Sequence, residues 1–351
     1  HYGPPAAAIE AARAALADPS IHEYQAVEGI RSLRRALAAK LARENGIDVG
    51  ESTGLMVTAG ANLAFMHAVM ATSEPGDEIV LPVPFYFNHE MAIQMAGCRV
   101  VPVPTDDRYQ PRLDAIRSAI TARTRAVVTI SPNNPTGAVY GESILRDINA
   151  LCAERGLYHI SDEVYEYFTY EGARHVSPAS FDGASAHTIA IYSLSKAYGF
   201  AGWRIGYFTY PAHLAAAMLK SQDTLLVCPP IVTQMAALAA VEVGRTYSAP
   251  YVEELGEVRR LVLDALASLG ALVTVPRPDG AFYCFMKVNR DVDPMALAGR
   301  LIREHRVAVM PGTAFGMSDG CYFRVAYGAL QKATVTEGIG RLVEGLRTLT
   351  A

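Results

Sequence analysis

The sequence predicts an α/β protein: a large domain with a mostly parallel sheet flanked by helices, followed by a smaller α+β domain. Three observations carry this expectation. Short apolar runs rich in β-branched and aromatic residues alternate with stretches of helical periodicity through the middle of the chain. The alternation gives way near residue 246 to one long helical stretch. The chain has 351 residues, enough for two cores of ordinary size.

The predicted strands are Glu78–Leu81, Ala126–Ile130, Leu157–Ile160, Thr188–Tyr192 and Arg204–Phe208, each short and apolar with β-branched or aromatic content. Helical patterns over Ala61–Ala71 and Glu142–Arg155 lie between them, which gives βαβ units and hence parallel strands. Tyr247–Leu269 reads as a long helix. It is followed by a strand at Phe282–Val288 and helices at Pro294–Glu304 and Thr334–Leu349. The expected organisation is an N-terminal segment over 1–22, with a helix at Ala6–Leu16, packing with the small domain. The large domain then covers 23–245 and the small one 246–351.

Hydrophobic residues make up 51% and charged residues 19%, which excludes disorder and coiled coil. Thirty-one basic against 35 acidic side chains leave a net charge of −4 with no basic run, so no nucleic-acid partner is expected. The uncharged stretch Ser52–Ser73 carries Gly54, Thr58, Gly60, Asn62 and His67, and Thr224–Val241 is broken by Pro229-Pro230. Both read as buried core, and no membrane association is expected. Five scattered cysteines read as reduced thiols in a cytoplasmic protein, and no His, Cys or carboxylate cluster has metal-ligand spacing. Opening at His1 without a methionine implies that an N-terminal piece is missing.

The polar clusters that carry chemistry each follow an apolar strand, where open α/β sheets bind ligands. Ser131-Pro132-Asn133-Asn134-Pro135-Thr136-Gly137 follows one strand, Asp162-Glu163-Val164-Tyr165 the next, and Ser193-Leu194-Ser195-Lys196 the third. Taken singly these have structural readings: a turn, a helix cap, a solvated lysine. Their order is more specific. Lys196 lies one βα repeat after Asp162, and Arg204 follows in Lys196-Ala197-Tyr198-Gly199-Phe200-Ala201-Gly202-Trp203-Arg204. Arg324, in Tyr322-Phe323-Arg324-Val325-Ala326-Tyr327, sits inside an apolar strand, where a guanidinium without an anion is costly.

From Tyr24 to Arg324 this series resembles the class I and II aminotransferases of the aspartate aminotransferase type. The resemblance implies the fold type I architecture, with a seven-stranded sheet in the large domain, and the cofactor pyridoxal 5'-phosphate. It implies that Lys196 forms a Schiff base with the cofactor and then moves a proton at the substrate Cα. By the same resemblance Asp162 would pair with the pyridine nitrogen, Asn134 and Tyr165 would hydrogen-bond the ring's phenolic oxygen, and Val164 and Tyr86 would pack on its faces. The Gly60–Ala61 turn, Ser193, Ser195 and Arg204 would hold the phosphate. By the same resemblance Tyr24 would reach the phosphate of a neighbouring subunit, which implies a homodimer with shared sites. Arg324 matches the family's carboxylate-binding arginine and would hold the substrate α-carboxylate with two parallel hydrogen bonds, with Asn134 and Tyr86 expected to border the substrate.

The sequence departs from the family at Tyr86, where many relatives have Trp, at Ala59, where some have a hydroxyl, and at Gly3-Pro4-Pro5, a short version of the family's substrate loop. The expected activity is transfer of an amino group from an L-amino acid to 2-oxoglutarate or pyruvate with ping-pong kinetics. The alternative is a β-lyase or cyclopropane-forming synthase on the same scaffold. An α-oxoamine synthase, a regulator fused to a winged helix and an inactive binding protein fit less well, the last because all the key residues are present together. Phe85, Phe87, Tyr198 and Phe200 hint at an apolar or aromatic donor, or equally belong to the core. His67, His89 and His159 read as structural.

Overall fold

The computed structural model describes residues 2–328 and 331–350. Seven strands form the large sheet: β1 (Thr53–Thr58), β2 (Glu78–Val83), β3 (Arg99–Pro104), β4 (Thr124–Ile130), β5 (Tyr158–Asp162), β6 (Thr188–Ser193) and β7 (Gly206–Pro211). Their order is β1-β7-β6-β5-β4-β2-β3. All neighbours are parallel except β7, which runs antiparallel to both β1 and β6. A second, four-stranded antiparallel sheet, ordered β10-β11-β9-β8, uses Val273–Thr274 (β8), Tyr283–Val288 (β9), Met310–Pro311 (β10) and Cys321–Ala326 (β11).

The apolar runs are continuous because the large sheet is covered on both faces. Along β6, Ile189 and Ile191 join one buried cluster with Met56, Leu81 and Phe208, while Ala190 and Tyr192 face the other with Leu55, Val57 and Tyr207. The predicted helix over Glu142–Arg155 forms at those residues and stops at Gly156, whose φ of 64° is the left-handed conformation that glycine adopts without strain. In the small domain, Pro294–His305 begins after Asp293, whose carboxylate accepts from the Ala296 amide at 2.6 Å, with proline in the first turn. Its Leu297 and Leu301 pack with Val258, Val262, Phe323, Leu342 and Leu346.

Two expectations are corrected. The N-terminal helix Ala6–Ala15 does not pack with the small domain. Ala8 and Ala12 lie in the cluster formed by Leu33, Leu37, Ala236, Ala237 and Ala240. The physical reason is the match of two small-residue surfaces, which lets this helix and Ile231–Val243 approach closely. The tip alone turns the other way: Tyr2 stacks on Tyr251 at 4.0 Å between centroids. Arg204 also lies outside its predicted strand, at φ 53°, with β7 beginning two residues later.

The two sheets meet at the turn bearing Asn134. Gly280 donates to the Gly137 carbonyl at 2.7 Å, and Ala281 to that of Phe168 at 2.9 Å. Gly137 has φ 75°, and a Cβ there would stand 2.5 Å from the Tyr283 carbonyl oxygen. Gly137→Ala is therefore expected to destabilise the protein by roughly 2 kcal/mol or more, read as a lower denaturation midpoint. An unchanged midpoint would show that this junction yields freely.

Candidate active site

The direction of β7 builds the site. Because β7 alone is reversed, its N-terminal end, with Arg204 just before it, opens on the same edge as the C-terminal ends of β1, β4, β5 and β6. That edge carries a cavity of about 390 Å³ lined by Ala61, Asn62, Tyr86, Phe87, Ile130, Asn134, Asp162, Val164, Tyr165, Ser193, Ser195, Lys196, Ala201, Arg204, Tyr283 and Arg324.

Each wall has a local cause. After β4, Asn133 folds its own turn, its Oδ1 accepting from the amide and hydroxyl of Thr136 at 3.0 and 2.8 Å. This leaves Asn134 for the cavity, where its Oδ1 accepts from Arg324 Nη1 at 2.9 Å. After β5, Asp162 is 7% exposed. Its Oδ1 accepts from the Val164 amide at 3.1 Å, and its Oδ2 lies 3.0 Å from His89 Nε2. After β6, Ser193 Oγ accepts from the Ser195 amide at 3.1 Å and starts the short turn that carries Lys196. After β1, Gly60 at φ 92° opens the helix Ala61–Thr72, whose first turn has no side-chain cap. A Cβ at Gly60 would stand 2.5 Å from Arg204 Nη2, so glycine lets the guanidinium reach that helix start.

The cavity holds three cations, Lys196, Arg204 and Arg324, against one carboxylate, Asp162. Burial lowers the Lys196 pKa below its ordinary 10.5, and the positive charges of Arg204 and Arg324 lower it further. Arg324 lies against the rings of Tyr283 and Phe315, at 4.6 and 5.0 Å from their centroids, and its buried Nε has no partner among the described residues. This charge pattern suits a ligand that brings two anionic groups. The helix start, the serines and Arg204 provide donors for one, and Arg324 for the other. Both features fit pyridoxal phosphate together with an amino-acid carboxylate.

Of the residues expected from sequence, Ala61, Tyr86, Asn134, Asp162, Val164, Tyr165, Ser193, Ser195, Lys196, Arg204 and Arg324 meet in this one cavity, with Gly60 directly behind it. Tyr24 does not; it is 86% exposed. Of the four aromatic residues taken as hints to the donor, Phe87 lines the cavity, while Phe85, Tyr198 and Phe200 are core. His67 and His159 are structural. His159, fully buried between Thr129 and Asn149, has its pKa lowered to about 3 by burial. His89 is not structural alone, because it supports Asp162; its place one helical turn after Tyr86 is the signal that could have found it. Asn62 and Tyr283 were also missed. The first follows the phosphate turn by one residue, and the second sits in a strand whose apolar character hid its hydroxyl.

The Lys196 shift yields a pH prediction. A lysine whose folded pKa is lowered destabilises the fold at neutral pH, and the penalty disappears as pH rises to the ordinary 10.5. Lys196→Met is expected to raise the unfolding temperature of the cofactor-free protein at pH 7, with the gain shrinking toward pH 10.5. A gain independent of pH, or none, would contradict this.

Among known proteins, the family described as "Aminotransferase class I and II" matches residues 1–342. The chain is 34% identical to the aromatic aminotransferase ISS1 of Arabidopsis thaliana, over 99% of this chain and 88% of that protein. It is 36% identical to the aspartate/prephenate aminotransferase of Thermus thermophilus, over 95% and 85%. Among solved structures, the aromatic aminotransferase from Pyrococcus horikoshii superposes with a TM-score of 0.92 at 34% identity, covering 99% of this chain and 94% of the other. With the family's match running through both sheets and the same fold in a solved relative, the chain belongs to the class I and II aminotransferases, enzymes that transaminate amino acids with pyridoxal phosphate.

Proposed function

We propose that this aminotransferase takes its amino group from L-amino acids with aromatic or apolar side chains and passes it to a 2-oxo acid such as 2-oxoglutarate or pyruvate. The observation that carries the donor class is the allocation of charge. All three cations lining the cavity have a role in holding cofactor or α-carboxylate, and the residues left beside Arg324 include Tyr86, Phe87 and Tyr283. A second carboxylate on the donor would be buried without a partner cation in this protomer, which is costly.

Pyridoxal phosphate supplies the electron sink that lets the substrate Cα lose its proton. Lys196 would be its covalent attachment point and, once free of it, would move the proton at Cα; burial and the neighbouring guanidinium groups lower the pKa of the unattached lysine and so favour the free amine a general base needs. Asp162, fixed by His89 and the Val164 amide, would present its carboxylate to the pyridine nitrogen. Asn134 and Tyr165, both lining the cavity, would hold the ring's phenolic oxygen, and Tyr86 and Val164 would pack against the ring. The Gly60–Ala61 turn, Ser193, Ser195 and Arg204 would hold the phosphate, while Arg324 would orient the carboxylate as a two-pronged donor.

The same reading includes a cytoplasmic homodimer, with large and small domains over 23–245 and 246–351. The exposure of Tyr24, which takes no part in its own cavity, supports the homodimer reading, because such a side chain is free to serve a partner's site. Five unpaired cysteines accord with a reducing compartment. No helix among the described residues is long and apolar enough to cross a membrane.

The test is a half-reaction. The holoenzyme is mixed with one L-amino acid and no oxo acid, and the products are identified. Phenylalanine or tyrosine should yield the matching 2-oxo acid and aminated cofactor roughly tenfold faster than aspartate, and Lys196→Ala should lose both cofactor attachment and turnover. Aspartate as the fastest donor would overturn the donor class. Release of ammonia and pyruvate would favour the lyase alternative, and full turnover by Lys196→Ala would overturn the mechanism.

A further inference from the structure

The Tyr283 hydroxyl has no place in the roles above, yet it lies at the junction of two of them. The residue belongs to β9, is 7% exposed and lines the cavity. Its hydroxyl is 2.8 Å from that of Tyr165, either being able to donate. Its ring lies 4.6 Å from the Arg324 guanidinium carbon. The sheet register explains the second contact: Tyr283 pairs with Ala326 on β11, so Arg324 is its diagonal neighbour on the strand. Tyr283 and Arg324 come from the small sheet. They meet Tyr165 and Asn134 from the large one, through the phenol pair and the Arg324–Asn134 bond.

A proton count sets the direction of the phenol pair. Each hydroxyl carries one proton. If Tyr165 gives its proton to the ring's phenolic oxygen, it can only accept from Tyr283, and so Tyr283 is the donor. The reverse arrangement would spend the Tyr165 proton on Tyr283 and leave that oxygen without a tyrosine donor. This step rests on the role of Tyr165 proposed above. We propose that Tyr283 is a positioning residue: its hydroxyl donates to Tyr165 and so aims the Tyr165 proton at the cofactor, while its ring seats Arg324 for the substrate carboxylate. One side chain then ties the donor that tunes the cofactor to the clamp that holds the substrate, across the junction of the two sheets.

The experiment compares the holoenzyme with Tyr283→Phe, Tyr283→Leu and Tyr165→Phe, titrating the visible absorbance of the Lys196-linked cofactor against pH. Donation by Tyr165 stabilises negative charge on the ring oxygen and so favours loss of the proton from the linkage. Weakening that donation therefore raises the midpoint. Tyr283→Phe keeps the ring and should raise the midpoint by roughly half to one pH unit, the scale of one hydrogen bond, and Tyr165→Phe should raise it further. Tyr283→Phe should bind 3-phenylpropionate, a monocarboxylate without an amine, as the parent does. Tyr283→Leu should bind it about two- to fivefold more weakly. A midpoint moved by Tyr165→Phe but not by Tyr283→Phe would overturn the inference about Tyr283 and leave the role of Tyr165 standing. A midpoint moved by neither would overturn the role of Tyr165 itself. Parental binding by Tyr283→Leu would overturn the seating of Arg324.

Discussion

An excess of positive charge in a partly enclosed cavity is the condition on which the rest of this structure depends. Lys196, Arg204 and Arg324 share about 390 Å³ with Asp162 as the one carboxylate among the lining residues. Bringing like charges together out of water is unfavourable, so the arrangement is sustained by the packing around it and is relieved when anions bind. The same condition makes Lys196 a better base, since burial and the two guanidinium groups all disfavour its proton. Structure and reactivity therefore share one cause.

The fold maintains this condition by topology rather than by local sequence. The cations come from the segment after β6, the turn before β7 and the middle of β11, far apart in the chain. The reversed β7 delivers Arg204 to the edge where the parallel strands end. The small sheet delivers Arg324, which Asn134 and the rings of Tyr283 and Phe315 hold in place. Glycine at two positions permits the close approaches: Gly60 admits the Arg204 guanidinium, and Gly137 lets the Asn134 turn meet the chain around Gly280.

Much of this was legible in the sequence because the parallel strands are apolar along their whole length and the polar residues cluster just beyond them. That contrast located the turns bearing Asn134, Asp162 and Lys196 without any three-dimensional information. The misses have physical reasons. The alanine-rich first helix has no large apolar residues to show which neighbour it seeks, and it found another alanine-rich helix, Ile231–Val243. Arg204 follows an unbroken apolar context but takes a left-handed backbone conformation that periodicity does not encode. His89 and Tyr283 acquire their roles from partners 73 and 118 positions away, Asp162 and Tyr165, and no local pattern announces such a pairing.

The most direct test of the charge account is whether the cavity offers two separate anion sites in the absence of cofactor. The unfolding temperature of the cofactor-free protein is measured with inorganic phosphate, with 3-phenylpropionate, and with both. Each anion should raise it, as any ligand selective for the folded state does, and the two increments should add. Arg204→Ala should remove the phosphate effect alone, and Arg324→Ala the carboxylate effect alone. Competition between the two anions, or stabilisation that survives loss of the assigned arginine, would contradict the account.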